Sequence, residues 1–315
     1  MGYETLDFPR IFSEKVGKSL KQSVWLRDYS NFRIGGRADF FFEATSPKEL
    51  EASISSAREL AIPYYIIGGG YNILFDDDGF RGLIIRNRVE GVKRKEKRGE
   101  IEVFSGTPLN DVLQFSVEEG LRGLEFLAGV PGTVGGAVFG NAGAFGLSIG
   151  EFLKKAEILD EKCERVKVKR DYFGFKYRYS LLKEKQSIFL VAIFELQEGE
   201  REKIKVLIRK NLEERKEKHP PWDVPCAGSF FKNPIFPDGR RVPAAFLLDK
   251  VGAKKLVVGG AAVYSGQANF IINRENASAR DVIQLAAELK QRVKKEYGIE
   301  LEEEVIFLPA SPSLP

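Results

Sequence analysis

Short apolar runs alternate with helical repeats of apolar residues along the first 120 residues of the chain. The repeat that follows Ser46 opens with Ser46-Pro47-Lys48-Glu49, a capping box with proline at the first helical position. It therefore predicts a helix, and Thr107-Pro108 predicts the start of a second helix that ends at Gly120. The apolar runs are typical of buried strands and predict them at residues 39–43, 63–67, 82–86 and 101–104.

The pattern continues beyond residue 150 and changes after Pro220 and Pro221. Helices are predicted over residues 201–218 and 244–251, and a third begins at Ser278, which Asp281 complements as a cap. Strands are predicted at residues 155–169, 187–195, 256–258, 270–273 and 300–308. Together the elements predict an α+β fold, in which the charged helix over 201–218 links two domains.

Residues 126–150 carry no charge over 25 positions, a length that could nominally span a bilayer. The same segment holds eight glycines and Pro131. Each glycine costs a helix about 1 kcal/mol. We therefore expect no membrane helix there, and the concentration of glycine needs another explanation.

Glycine clusters at two places in the chain. Gly68-Gly69-Gly70 directly follows a predicted buried strand, and a second cluster extends over residues 129–146. Glycine lets backbone N–H groups approach a pyrophosphate because no Cβ stands in the way. The first cluster lacks the Rossmann spacing, and a tight turn is an alternative interpretation. Two uncharged loops in one chain favour a flavin dinucleotide over a purely structural glycine-rich segment.

Composition narrows the possible chemistry. The chain has 315 residues and one histidine, so sites that need several imidazoles are excluded and no metal site is predicted. His219 precedes two prolines in a charged stretch, which indicates a surface loop. With 49 basic and 45 acidic residues, the net charge of +4 does not favour a nucleic-acid partner. The N-terminus lacks the apolar run of a signal peptide, and Cys163 and Cys226 are only weak evidence for a disulfide. We therefore expect a cytoplasmic protein with no membrane partner.

Six short sequence blocks stand out, and together they span nearly the whole chain. They are Asn31-Phe32-Arg33-Ile34-Gly35-Gly36, Gly68-Gly69-Gly70-Tyr71-Asn72, Pro131-Gly132-Thr133-Val134-Gly135-Gly136, Tyr177-Arg178-Tyr179-Ser180, Ala227-Gly228-Ser229-Phe230-Phe231-Lys232-Asn233-Pro234 and Leu301-Glu302-Glu303-Glu304-Val305. These blocks resemble those of the UDP-N-acetylenolpyruvoylglucosamine reductase family of bacterial cell-wall synthesis and occur in the family's order, and the block at residues 227–234 is the most specific.

The resemblance implies a two-part FAD-binding region of the vanillyl-alcohol-oxidase type, over residues 1–85 and 86–200. An α+β substrate-binding domain is expected to follow over residues 201–315. The implied activity is NADPH-dependent reduction of UDP-N-acetylglucosamine enolpyruvate to UDP-N-acetylmuramate, with FAD carrying the hydride. The short connection over residues 182–199 resembles the family's shorter, second type, and a monomer is the default that the family suggests.

In the family's pattern Ser229 is the proton donor, and Arg178 and Glu304 stand where charge develops on the enolate. A forked guanidinium suits a carboxylate whose charge grows during the reaction. Strand alternation would put Glu302 and Glu304 on one face, so periodicity leaves both open as the catalytic carboxylate. The family's pattern of residues selects Glu304, with Glu302 as the alternative.

The resemblance also implies contacts to the cofactor and the substrate. Tyr71 stands where a small hydroxyl residue is usual, and Phe139-Gly140 replaces a tyrosine-containing pair, so we expect fewer side-chain contacts to FAD there. The substrate-binding residues implied are Tyr177, Lys218, Asn233 and Gln267. The cofactor-binding residues implied are Gly35, Gly68, Gly69, Gly70, Tyr71, Asn72, Pro131, Gly132, Thr133, Gly135, Gly136, Asn141, Gly143 and Arg215.

Two other functions stay open at this point. One is an FAD-linked oxidase of the same fold that uses oxygen on a sugar or polyol, and it would form peroxide without NADPH. The other is a protein that binds flavin or nucleotide sugar without turnover. The Ser229 block and Glu304 argue against the oxidase.

Overall fold

The computed structural model describes residues 3–311. Residues 1–2 and 312–315, at the outer ends of the first and third predicted domains, lie outside the described residues. Short 3-10 helices lie at Leu26–Tyr29, Glu125–Leu127, Arg170–Phe173, Leu181–Lys183 and Ala253–Lys255.

The first part of the chain builds a four-stranded sheet covered by two helices. Its elements are α1 (Tyr3–Val16), β1 (Lys21–Trp25), β2 (Arg37–Ala44), α2 (Pro47–Glu59), β3 (Tyr64–Ile67), β4 (Ile73–Phe75) and β5 (Phe80–Asn87). The sheet order is β1-β2-β5-β3, in which β1 is antiparallel to β2 and the other pairs are parallel. The predicted cap of α2 is present, because Glu49 N donates to Ser46 Oγ at 3.3 Å. Helix α1, which the sequence pattern did not predict, packs Phe8 and Phe12 against β2.

The second part is built on a five-stranded antiparallel sheet. Its elements are β6 (Val92–Arg94), β7 (Glu100–Phe104), α3 (Leu109–Glu118), β8 (Leu121–Arg122), α4 (Val134–Gly140), β9 (Gly143–Ala144), β10 (Leu147–Ser148), α5 (Ile149–Phe152), β11 (Leu153–Leu159), β12 (Arg165–Lys169), β13 (Ile188–Glu195) and β14 (Gln197–Glu198). The sheet order is β12-β11-β13-β7-β6. Leu159, Leu190 and Val191 of this part are buried in the core of the first part, so the two parts share one hydrophobic core.

The third part packs two helices on a three-stranded antiparallel sheet. The remaining elements of the chain are α6 (Arg201–Lys218), α7 (Ala244–Lys250), β15 (Val257–Val258), β16 (Ala261–Val263), β17 (Ile271–Asn273), α8 (Ala279–Tyr297) and β18 (Ile306–Leu308). The sheet order is β15-β16-β17, and α8 buries its apolar face over it.

Helix α6 packs on the second part rather than on the third. Ile208 lies against the core of the second part, and Asn211 Nδ2 donates to Glu125 O at 2.9 Å. Helix α6, at which the third domain is predicted to begin, therefore has contacts with the core of the second part. The buried core of the third part is formed by apolar residues that lie between Ala227 and Val305 in sequence. Phe32, Ile34 and Leu74 from the first part complete it.

Two predicted strands are interrupted. The prediction over residues 155–169 becomes the hairpin β11–β12, because Asp160 Oδ1 accepts from Lys162 N and Glu164 N and Cys163 has a φ of 62°. The prediction over residues 300–308 shrinks to β18, which pairs in parallel with β4. The chain exchanges pairing partners just before β18, so the residues before it do not form a regular strand.

The glycine-rich segment contains the seven-residue helix α4 and the small hairpin β9–β10. Among residues 3–311, no helix is long and apolar enough to cross a membrane.

Candidate functional site

The two glycine loops meet in the structure. A Cβ atom at Gly68 would lie 2.4 Å from Thr133 Oγ1, and one at Gly69 would lie 3.4 Å from Gly132 Cα. A larger residue at Gly68 would therefore push the loops apart. Gly132 has a φ of +113° and no heavy atom within 4 Å of its Cβ position, so its surface is open.

Three other glycines that are predicted to bind the cofactor are constrained by the structure around them. A Cβ at Gly35 would lie 2.7 Å from Phe75 Cβ, and one at Gly70 would lie 2.0 Å from Tyr29 O. Both glycines also have positive φ angles. Gly135 N donates to a backbone carbonyl at 2.7 Å, so that amide is already occupied. Close packing and positive φ therefore require glycine at Gly35 and Gly70, and the Gly135 amide is bonded within the protein.

The exposed side chains beside the loops are those of Tyr71, Asn72 and Pro131. The Tyr71 ring covers Gly69, since its Cε2 would lie 2.6 Å from a Cβ there. On the opposite loop, Thr133 begins α4 by accepting from Gly136 N at 3.5 Å. Tyr71 thus occupies space that a small hydroxyl residue would leave open.

Arg178 and Glu304 form an ion pair where these loops meet. Arg178 Nε lies 2.6 Å from Glu304 Oε1, although the N–H does not point at that oxygen. A Cβ at Gly143 would lie 3.4 Å from Arg178 Nη1, which puts the pair beside the second glycine cluster. Asn72 Nδ2 donates to Glu304 O at 3.2 Å, which ties the pair to the first cluster.

Glu304 is the more buried of the two candidate carboxylates. Burial raises the pKa of its carboxyl, and the positive charges of Arg178, Lys183 and Lys232 oppose that rise. Its side chain is 20% exposed, whereas that of Glu302 is 74% exposed. Glu304 is therefore a largely buried carboxylate surrounded by cations.

Glu302 faces a different partner. Its carboxylate lies 2.9 Å from Lys232 Nζ, and Glu304 turns to Arg178 instead. Residues 301–305 form no regular strand, but Glu303 makes an isolated antiparallel bridge with Phe231, and its side chain pairs with Lys290 rather than with Lys232 or Arg178.

Ser229 lies on a segment that pairs with the end of the chain. Glu304 N donates to Phe230 O at 2.8 Å, and Lys232 N donates to Glu302 O at 2.9 Å. Ser229 is partly buried and directly precedes the residue that binds the Glu304 backbone. The pairing therefore puts the backbone of the predicted proton donor beside the backbone of Glu304.

Asn269 fixes the same segment from the other side, and the sequence analysis did not identify it. Phe231 N donates to Asn269 Oδ1 at 2.9 Å, and Asn269 Nδ2 donates to Phe231 O at 2.8 Å. The side chain is only 4% exposed. Its partner lies 38 residues away in sequence, so no local pattern could have revealed the role.

Arg215 is a partly buried cation on α6 that forms no salt bridge with the described residues. Its Nη2 donates to Phe126 O at 3.3 Å, and its buried Nε has no hydrogen-bond partner among residues 3–311. Burial, followed by repulsion from Arg178, lowers the pKa of its guanidinium. Its Cδ would lie 2.9 Å from a Cβ at Gly129, beside the second glycine cluster. An orphaned buried donor in this place fits an anionic ligand such as a diphosphate.

His219 is not the surface-loop residue that its neighbours in sequence predicted. It follows α6, is half-buried, and its ring centroid lies 5.1 Å from that of Phe270. Burial, with the charges of Arg215 and Lys218, lowers the pKa of His219 to about 4. The ring is therefore neutral near pH 7.

Comparison with known proteins agrees with this geometry. Residues 38–169 match an FAD binding domain, and residues 220–308 match the C-terminal domain of UDP-N-acetylenolpyruvoylglucosamine reductase. The chain is 38% identical over 298 residues to the UDP-N-acetylenolpyruvoylglucosamine reductase of Chlamydia muridarum, which covers 94% of this chain and 97% of that one. The chain belongs to the UDP-N-acetylenolpyruvoylglucosamine reductase family.

Further relatives agree. The reductase of Clostridium botulinum strain Eklund 17B is 34% identical over 287 residues, covering 91% of this chain and 92% of that one. The crystal structure of the reductase from Thermus caldophilus matches with a TM-score of 0.75 and 31% identity, over 92% of this chain and 99% of that one. Membership confirms the predicted family and α+β fold, and it makes the chain an FAD oxidoreductase.

Two of the substrate-binding residues that the reductase family implies lie together. Asn233 N donates to Tyr177 Oη at 3.2 Å, and Asn233 Oδ1 accepts from Ala244 N at 3.0 Å. The exposed guanidinium of Arg241 lies 4.0 Å from the Tyr177 ring centroid. Arg241 was not identified from the sequence, because nothing local marks it as different from the neighbouring Arg240.

The other two, Lys218 and Gln267, lie elsewhere. Lys218 is exposed and its Nζ is 3.9 Å from Glu214 Oε2. Gln267 Oε1 accepts from Asn269 N at 2.8 Å. Within the described part of the chain, neither residue forms a hydrogen bond with Arg178 or Glu304.

Asn141, predicted to contact the cofactor, has its side chain fully engaged by protein. Its Nδ2 donates to Lys176 O at 2.8 Å, and its Oδ1 accepts from Gly150 N at 3.1 Å. We therefore assign it a positioning role. Ser180 Oγ adds a bond of 2.7 Å to Phe139 O. The bonds Asn141–Lys176 and Ser180–Phe139 attach the segment that carries Arg178 to the glycine-rich segment.

Proposed function

We propose that the chain reduces UDP-N-acetylglucosamine enolpyruvate to UDP-N-acetylmuramate in peptidoglycan synthesis, with NADPH as the reductant. The observation that carries this proposal is the convergence of the Arg178–Glu304 pair, the Ser229 segment and both glycine loops at one place. Relatives named for the reductase activity support the substrate. A monomeric enzyme acting in the cytoplasm is part of the proposal.

The residues at the glycine loops fit FAD. When bound, FAD supplies hydride transfer between NADPH and the double bond of the substrate. The open surface of Gly132 would accept the close approach of the cofactor, and Arg215 would give its orphaned N–H to a phosphate. Tyr71 and Asn72 flank the same loops as exposed side chains.

Arg178 and Glu304 are placed to handle the charge that the reduction creates. The Nε of Arg178 lies beside the Glu304 carboxylate, and we infer that the outer nitrogens of the guanidinium donate to the substrate carboxylate. Negative charge that builds up beside this carboxylate is then stabilised by a fixed cation. Lys232 and Lys183 add positive charge around the Glu304 carboxylate.

Ser229 is the proposed acid that protonates the substrate carbon. A serine hydroxyl is a weak acid, so it can serve only a strongly basic carbon or act through a hydrogen-bonded relay. The lone histidine does not compete for this role, because His219 is neutral and packed against Phe270.

The direct test is an anaerobic experiment on the purified protein. We expect a yellow flavin spectrum that NADPH bleaches and UDP-N-acetylglucosamine enolpyruvate restores. Failure of the substrate to restore the colour would exclude the proposed reaction. Peroxide formed from a sugar or polyol without NADPH would instead establish the oxidase.

The test of the acid is Ser229→Ala. Flavin bleaching by NADPH should be unchanged, while re-oxidation by the substrate slows by about 10²- to 10⁴-fold, the usual contribution of a positioned acid. Ser265→Ala, which removes an exposed hydroxyl from the same part of the chain, is the matched control. Normal re-oxidation by the Ser229 variant would reject the assignment.

A further inference from the structure

Lys183 lies directly behind the Arg178–Glu304 pair. It ends the 3-10 helix Leu181–Lys183, and its side chain is partly buried. Its Nζ donates to Arg178 O at 2.9 Å and lies 5.7 Å from the Phe139 ring centroid on α4. The ammonium therefore connects the backbone of Arg178 with the glycine-rich segment.

Arg178 needs such support because its backbone is strained. Its φ is +54°, in the left-handed region that residues with a side chain seldom adopt. Neighbouring bonds hold the turn, since Lys176 N and Tyr179 N each donate to the other's carbonyl, at 3.1 and 3.2 Å. The Lys183 ammonium adds a charged donor at the Arg178 carbonyl itself.

Lys183 also lacks a carboxylate of its own. It forms no salt bridge among residues 3–311, and the charged groups that face it are Lys232, Glu304 and Arg178. Burial lowers the pKa of Lys183, as do Lys232 and Arg178, whereas Glu304 opposes them. An ammonium kept in such a place is stabilised chiefly by Glu304 and by the Arg178 carbonyl.

We propose that Lys183 is a positioning residue for the reductase reaction, which holds the strained Arg178 backbone and adds a fixed positive charge behind the Arg178–Glu304 pair. This inference rests on the proposed function. It adds a residue to the site through a contact that the Ser229 and Glu304 assignments do not require.

The test compares Lys183→Met, Lys183→Arg and Lys183→Gln in the full-length enzyme. Loss of the positive charge in Lys183→Met should move the acid limb of the re-oxidation pH profile up by about 1 pH unit, because a neighbouring cation lowers a carboxyl pKa. Re-oxidation below that limb should slow about tenfold, with NADPH bleaching unchanged. Lys183→Arg should restore the limb, whereas Lys183→Gln, which keeps a donor without the charge, should not.

Lys185→Met is the matched control, because Lys185 is exposed and lies over the Tyr172 ring at 4.4 Å. It should leave the profile unchanged. A wild-type pH limb in Lys183→Met would overturn the inference. If Lys183→Met fails to fold, the contrast between Lys183→Arg and Lys183→Gln decides the same question.

A second readout does not depend on turnover. The Glu304 carboxyl can be titrated by carbon-13 NMR of glutamate-labelled protein, with Glu304→Gln to assign the signal. We expect its midpoint to rise in Lys183→Met and to return in Lys183→Arg. An unchanged midpoint rejects the inference even if the enzyme reduces the proposed substrate. If the midpoint shifts but the protein does not reduce that substrate, the inference about Lys183 stands and the proposed function is wrong.

Discussion

The pKa of the single histidine depends on burial and on the positive charges at the end of α6. With its pKa lowered to about 4 from an ordinary 6.5, His219 stays neutral in the folded protein until acid pH. The unfolded chain binds a proton at higher pH, so the stabilisation from a neutral His219 is present above pH 6.5 and is lost as the pH falls toward 4. In a proton NMR titration the one imidazole signal should move near pH 4. A midpoint near 6.5 would instead indicate an exposed ring.

Arg215 offers a test of cofactor binding that needs no turnover. Arg215→Met removes a partly buried guanidinium whose Nε lacks a partner among the described residues. If that donor serves the diphosphate of FAD, the dissociation constant should rise about 10- to 100-fold, since hydrogen bonds to charged groups contribute about 1.5–3 kcal/mol. Flavin fluorescence titration measures the change. Lys216→Met, an exposed neighbour on α6, should bind FAD normally, and equal affinity in both variants would contradict the role.

For single residues, the sequence could identify candidate site residues but not the groups that surround them in the fold. Arg178, Ser229 and Glu304 were found through the blocks that resemble a family, and the structure brings them together. Strand periodicity could not separate Glu302 from Glu304, because residues two positions apart are expected on the same face; their different partners, Lys232 and Arg178, are set by the fold. Asn269 was missed because it acts on a segment far away in sequence.

Helix α8 is held at its start by a carboxylate from another part of the chain. Asp77 Oδ1 accepts from Ala279 N at 2.7 Å, and its Oδ2 accepts from Arg280 N at 3.2 Å. These are the first amides of the helix, which have no partner within it. Asp77→Ala should lower the free energy of unfolding by about 1 kcal/mol, measured by urea denaturation. The exposed neighbour variant Asp78→Ala should change it little, and equal effects would show that loss of charge alone matters.

Elements with capping signals or long periodic faces were predictable, and very short strands were not. Both α2 and α8 begin at the serine that the sequence indicated. Strands β4 and β16 have three residues each, which is too few for a period to be recognised. Strand β18 depends on β4 for its pairing, so its length is set by a partner more than 200 residues away.

The order of domains along the chain was easier to predict than the way they pack. Helix α6 looked like the start of the third domain because its charged sequence resembles a linker, yet it packs on the second part. The first and third parts are joined by β18 and by Asn31, whose Nδ2 donates to Cys226 O at 2.7 Å. Since the proposed site lies where these parts meet, its geometry depends on contacts that no single domain contains.

The shared core of the first two parts predicts that they unfold together. Leu190 belongs to β13 of the second part but is buried among residues of the first, with 3% exposure. Leu190→Ala should destabilise the protein by about 2–5 kcal/mol, because it leaves a cavity in that core.

In a Trp222→Phe background, Trp25 is the only tryptophan and reports on the first part. Its fluorescence transition in urea should shift as far as the circular dichroism transition of the whole chain. The control Val206→Ala, on the exposed face of α6, should shift neither. A Trp25 transition that stays in place while circular dichroism shifts would mean that the two parts unfold independently.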